Sequence, residues 1–198
     1  MCGGIIHVLK NLKVKNIIIS KQKQTNQYLD EVLKIAKNKK INIITVKAGD
    51  KIKLDSKTYF DILWPTNNFI EENSTNNNSI VANLIFGKFK MLFTGDIEKI
   101  AENEIFQKYK YSEKIKCSIL KIAHHGSNTS TTEEFLNQVN PKLVLIGVGK
   151  DNKFNHPNIE VIERLEKKGI KIFRTDENGE VTISINKKGG IKIKKYID

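Results

Sequence analysis

The stretch SIVANLIFGKFKMLFTGD, residues 79–96, constrains the chain more than any other. Two runs rich in β-branched and aromatic residues flank Gly87-Lys88, so 79–86 and 90–94 predict a β-hairpin. A hairpin presents an apolar face that must be covered, and the segments on either side supply the cover. Downstream, predicted helices at 97–109, from Thr131 or Thr132 to Val139, and at 158–168 alternate with apolar strands at 117–123, 143–148 and 170–173. Upstream, Ile5, Ile6, Val8, Leu9 and Leu12 mark a short amphipathic helix after Gly3-Gly4, followed by a strand at 14–20. A helix at 26–38 carries Tyr28, Leu29, Val32, Leu33, Ile35 and Ala36 on one stripe, and strands follow at 41–46, 51–54 and 58–64, the last stopped by Pro65. Residues 66–78 are polar and Asn-rich and read as a long loop, a length that is often functional or disordered. Strands at 181–186 and 191–196 pair across 187–190. With no repeat and no internal linker, the pattern predicts one layered α/β domain over residues 1–198.

Composition excludes several classes. At 198 residues, 39% hydrophobic and 28% charged, the chain is long and apolar enough to bury a core and is not a disordered polyelectrolyte. No apolar run approaches the roughly 20 residues of a membrane span, and the first residues lack a signal-peptide pattern. The expectation for the chain alone is a soluble, cytoplasmic protein. Its two cysteines, Cys2 and Cys117, exclude a disulfide scaffold and a zinc site made only of thiolates. The formal charge of +12 points to a polyanion partner. Yet only Arg164 and Arg174 are arginines, and the abundance of Lys, Ile and Asn is what an AT-rich genome produces. Forked phosphate recognition favours arginine. The charge therefore supports a nucleic-acid reading without carrying it.

Candidate chemistry gathers at strand ends. In Thr94-Gly95-Asp96, the glycine lets another group approach closely, and the acid either serves a site or caps the following helix. His124-His125-Gly126-Ser127 also follows a buried strand. Adjacent histidines point in different directions, so at most one meets Asp96, and imidazole beside carboxylate is what a divalent metal asks for. In Asn155-His156-Pro157, His156 either donates a proton or binds a phosphate oxygen, or merely leads into a helix. The run Asn76-Asn77-Asn78-Ser79 offers amides to orient a substrate or to support a ligand. His7 faces out of the first helix and receives no role.

In series, NNNSIV (76–81), MLFTGD (91–96), KIAHHGS (121–127), NHP (155–157) and FRTDENGEVTI (173–183) resemble the metallo-β-lactamase-fold domain at the C-terminus of ComEC-type competence channel proteins. The resemblance keeps the family's order and covers nearly the whole chain. It implies an α/β (α+β) fold, a four-layer αββα sandwich with a two-metal site at one sheet edge. It also implies a divalent ion, zinc or manganese, and metal-dependent hydrolysis of DNA phosphodiesters in DNA uptake, on the strand that is not imported. The partners implied are DNA, single-stranded or non-specific, and the channel part of the same parent protein, with the domain outside the cytoplasmic membrane. By the match, Asp96 bridges the metals, His125 is the late metal ligand with His124 as the alternative, and His156 assists the leaving group. Asn77, Ser79 and Ser127 face the substrate.

One departure changes the expectation. The family's main metal cluster, HxHxDH, precedes x-Gly-Gly and a helix. Here Cys2-Gly3-Gly4-Ile5 takes that place and Met1 stands where the last histidine of the cluster belongs. Asp96 and His125 make two ligands, where a catalytic zinc keeps about three. The resemblance therefore predicts a domain incomplete at its N-terminus, lacking the first strands of the sandwich, with one side of a sheet exposed and metal bound weakly or not at all. Three readings stand: part of a larger active hydrolase, a non-catalytic DNA-binding remnant, or a stand-alone phosphoester hydrolase whose missing ligands come from a partner chain.

Overall fold

The computed structural model describes residues 3–21, 26–186 and 188–197. Met1 and Cys2, which set the register of the expected HxHxDH cluster, and Lys187 of the last predicted turn lie outside the described residues. Helix α1 (Gly3–Asn11), strand β1 (Asn16–Ser20), helix α2 (Gln27–Asn38) and strand β2 (Asn42–Val46) form the first unit. Asn26 caps α2 by accepting the N–H groups of Tyr28 and Leu29. β1 and β2 run parallel, and Leu9, Ile17, Val32, Ala36 and Ile41 are buried between them and the two helices. Among the described residues these two strands pair only with each other, and Ile18, Ile43 and Ile44 remain exposed.

The predicted hairpin is the middle of a larger sheet. Strands β3 (Lys51–Lys53) and β4 (Thr58–Trp64), the one-turn helix α3 (Ser74–Asn77), and strands β5 (Val81–Phe86) and β6 (Phe89–Phe93) come first. Helix α4 (Lys99–Tyr109), strand β7 (Ile119–Lys121), a 3-10 turn (Ala123–Gly126), helix α5 (Glu133–Val139), strand β8 (Leu143–Ile146), helix α6 (Ile159–Lys167) and strand β9 (Lys171–Arg174) follow. A one-turn helix α7 (Thr175–Asn178) leads to the hairpin of β10 (Val181–Ile185) and β11 (Ile191–Lys195). Strands β3 to β9 pair in chain order as seven strands, antiparallel up to β6 and parallel from β6 to β9. Parallel neighbours need crossovers, and α4, α5 and α6 provide them.

Strand alternation sorts the core. Leu92, Leu120 and Val144 face Ile105, Phe135 and Leu165 of the crossover helices. Met91, Ile119, Leu143 and Phe173 point the other way, against Val181, Ile183 and Ile193 of the β10–β11 hairpin. Val46 of β2 packs with Ile62 and Ala82, on that same second face. Burial on both faces is why these strands read as continuous apolar runs. The layers run helix, sheet, strand pairs, helix, which is the αββα sandwich. Among the described residues, no helix is long and apolar enough to cross a membrane.

The structure differs from the sequence reading in two places that matter for the site. The strand expected at 117–123 ends at Lys121, where the chain enters the 3-10 turn. Asp96 does not cap the next helix, because α4 begins at Lys99, with Glu98 as its preceding residue. The loop beyond the 3-10 turn is tied down by Glu102, which is buried and accepts the N–H groups of Thr131 at 2.5 Å and Thr132 at 2.8 Å. Arg164 closes the brace by donating to the Thr131 carbonyl at 2.7 Å. Burial pushes the Glu102 carboxyl up from its ordinary value, against the pull of those N–H groups and of Arg164. Glu102→Gln sets an amide N–H against one of the two donors, and we expect a loss of about 2 kcal/mol in urea unfolding with the m-value unchanged.

Candidate metal centre

Four loops meet where β6 and β7 end. Gly95 has φ +56°, and a Cβ there would lie 2.7 Å from Cβ of Ser79, so the TGD and NNNS loops touch only because this residue is glycine. The Asp96 N–H donates to Ser79 Oγ at 3.3 Å, and the His124 N–H donates to the Gly95 carbonyl at 3.1 Å. Gly126, at φ +85°, would drive a Cβ to 2.6 Å from that of Pro157, and its carbonyl accepts the Asn158 N–H at 2.8 Å. The four motifs that stand apart in sequence are thus one contiguous surface.

The two histidines share a backbone conformation and face different partners. His124 (φ 46°, ψ 41°) and His125 (φ 56°, ψ 19°) are both left-handed, a state that costs a non-glycine residue about 1–3 kcal/mol. The two rings turn to different carboxylates. His125 Nε2 lies 3.8 Å from Asp96 Oδ1, while His124 Nδ1 lies 3.4 Å from Glu98 Oε1, an electrostatic approach without hydrogen-bond alignment. His125 Nδ1 is 2.5 Å from the Gly147 carbonyl. A carbonyl only accepts, so Nδ1 carries a proton, and in the neutral ring Nε2 is the nitrogen whose lone pair lies on the side of Asp96.

The TDENG motif supports that arrangement from behind. Thr175 Oγ1 accepts from the Val148 N–H and donates to the Val148 carbonyl, both at 2.7 Å, next to the residue that holds His125. Arg174 grips Asp176 at 3.2 and 2.6 Å and Glu177 at 2.9 Å, which fixes the turn carrying Thr175. Lys121 donates to the Ile122 carbonyl at 2.9 Å, and burial pushes its ammonium down while Asp96 pulls the other way.

The expected residues separate into two groups. Asp96, His125, His124 and His156 gather at the surface of the loops, and Ser79 lines a cleft of about 420 Å³ beside Asp96. Asn77 and Ser127, expected to face substrate, point inward. Asn77 is fully buried, its Oδ1 accepting from the Glu98 N–H and its Nδ2 donating to the Glu72 carbonyl, while its own carbonyl accepts from the Trp64 indole. Ser127 is buried and its hydroxyl pairs with Thr129. Both shape the loops. His156 sits edge-on to His124 at 5.8 Å, and burial, then His124 and His125, hold its imidazole below its ordinary value. Sequence reasoning missed Glu98, whose carboxylate accepts from Asn73 and Thr129 and faces His124. The available signal was its place two residues after Asp96 in the same loop.

The donors fit part of a metal site. Asp96 and His125, 3.8 Å apart, are close enough to share one ion at the roughly 2.1 Å bonds zinc makes. The backbone carbonyl on Nδ1 is the support that ligand histidines normally have. Among the described residues, however, no three His, Cys, Asp or Glu side chains form a group that could hold a metal ion.

No family model matches the chain. Over 174 residues, 88% of its length, it is 35% identical to ComE operon protein 3 of Bacillus subtilis (strain 168), covering 22% of that protein. Over 120 residues, 61% of its length, it is 33% identical to competence protein ComA of Neisseria gonorrhoeae, covering 17% of that protein. The chain is a ComEC-type metallo-β-lactamase-fold domain. It spans about a fifth of the length of these curated relatives. Among solved structures, the ComEC-type domain is similar to a mutant of CmlA beta-hydroxylase, with a TM-score of 0.52 at 10% identity, covering 84% of this chain and 39% of that one. At that identity the likeness concerns the fold alone. In this domain Gly126→Ala meets both the left-handed backbone and the Pro157 ring. We expect a loss of about 2 kcal/mol, read as a Tm lower by roughly 4–8 °C in a thermal melt.

Proposed function

We propose that this domain hydrolyses DNA phosphodiesters as part of a competence protein, with Asp96 and His125 holding a divalent ion, zinc or manganese. The observation that supports this is the His125 ring, protonated at Nδ1 by its bond to Gly147 and offering Nε2 beside Asp96. That pair lies in a chain 35% identical over 174 residues to a competence-operon protein. An ion held there would supply Lewis acidity towards a scissile phosphate and a readily deprotonated water. The chain's own residues hold and orient. Glu98 faces His124, His156 stands against that ring to meet a phosphate oxygen or the leaving group, and Ser79 borders the cleft beside Asp96. Surface lysines attract the DNA backbone without regard to sequence, and single-stranded DNA and the remainder of a longer parent protein are the partners. In this reading the domain works on the outer side of the cytoplasmic membrane, and the ligands that complete the site come from residues beyond those described.

The absence of a third ligand among the described residues favours a second reading, a domain that binds DNA without cleaving it. Calorimetric titration of Zn²⁺ or Mn²⁺, with DNA affinity measured in parallel, separates the two. Hydrolysis predicts weak ion binding that falls about tenfold or more in Asp96→Ala and in His125→Ala, with single-stranded DNA affinity within twofold of wild type. Ion binding that is indifferent to both substitutions, with DNA binding intact, selects the second reading.

A further inference from the structure

Beside the Asp96–His125 pair lies a second cleft, of about 290 Å³, shared by His125, His156, Gly147, Val148 and Phe154. Phe154, a large aromatic residue at the edge of this cleft, is 56% exposed. Its ring stacks on His156, with centroids 5.8 Å apart and planes 20° from parallel, and Lys153 Nζ lies 5.1 Å from its centroid.

This exposure belongs to a built loop. Asn152 makes four bonds to its backbone, donating to the carbonyls of Gly149 and His156 and accepting the N–H groups of Phe154 and His156. Asp151 (φ 55°) and Asn155 (φ 52°) take left-handed turns on either side. The loop thus holds an aromatic ring out of the core, flat against a histidine of the site, and Lys150 and Lys153 give the segment cations suited to a phosphate chain.

We propose that Phe154 is a stacking platform for one nucleobase of a single-stranded nucleic acid, setting the adjoining phosphodiester at Asp96 and His125. The inference rests on the reading that this site takes phosphodiesters. Every base has a face that stacks on an aromatic ring, so the platform binds without sequence preference, and a base locked in a duplex does not reach it. Lys153 is a flexible point charge that yields the ring to a base and turns to the phosphate.

Fluorescence anisotropy at low salt tests this with the full chain and two labelled oligomers of equal length, oligothymidylate and its abasic counterpart. Phe154→Ala is expected to weaken oligothymidylate binding about tenfold, the loss of one stacked base, and to leave the abasic oligomer within twofold, while Phe154→Trp keeps both. Equal effects on the two oligomers, or none on either, overturn the platform and leave the phosphodiester reading standing. A wild-type protein that binds neither oligomer overturns the phosphodiester reading, and the platform with it.

Discussion

A single backbone carbonyl decides what His125 can do. Because the Gly147 oxygen takes the proton side of the ring, the opposite nitrogen is left to face Asp96. That carbonyl is placed by the sheet. Lys121 of β7 pairs with Leu145 of β8, so the two parallel strands end side by side, one running into His124-His125 and the other into Gly147. Thr175, at the end of the next parallel strand, clamps Val148 and holds the carbonyl in place. Three neighbouring strand ends act on one imidazole, which is where open α/β sheets generally gather their chemistry.

The loops of the site are held against local preference. Two consecutive histidines and the glycine after them adopt positive φ, and two glycines let loops approach to distances that no side chain permits. Such conformations persist only where the surroundings over-determine them. Here the surroundings are a core filled by Leu120, Ile122, Ala123 and Ile146 directly beneath the turn, and the buried Glu102–Arg164 brace beyond it. The rigid layers of the sandwich stabilise a loop cluster that would not hold its shape alone.

Much of this was legible in the sequence. Apolar periodicity placed nearly every strand and helix, because strands buried on both faces leave continuous hydrophobic runs and crossover helices leave stripes. The site motifs could be read as strand-end residues for the same reason. The rest depended on quantities a sequence does not display. Asp96 sits where a helix cap would, and only the start of α4 at Lys99 shows that its carboxylate is turned elsewhere. Asn77 and Glu98 are joined by a bond across 21 residues, and Glu102 and Thr131 by one across 29, so neither pairing leaves a local pattern. The left-handed angles that turn His124 and His125 to different partners follow from loops packing together, and Phe154 leaves no signal because an isolated aromatic in a polar loop is ordinary.

The internal use of both arginines has a consequence for the outer surface. Arg164 donates one N–H to the Thr131 carbonyl and Arg174 is bound to Asp176 and Glu177, so both guanidinium groups are already engaged within the fold. All but these two of the 34 basic residues are lysines. A polyanion therefore meets compact ammonium charges with no preferred angle, whose reach in physiological salt is about 8 Å. Attraction of that kind gathers a strand and lets it slip lengthwise, and it fades steeply as ionic strength rises. Under the proposed reading, register along the strand would be imposed by the directional groups of the site loops, and the scattered surface lysines would set chiefly how often a strand arrives.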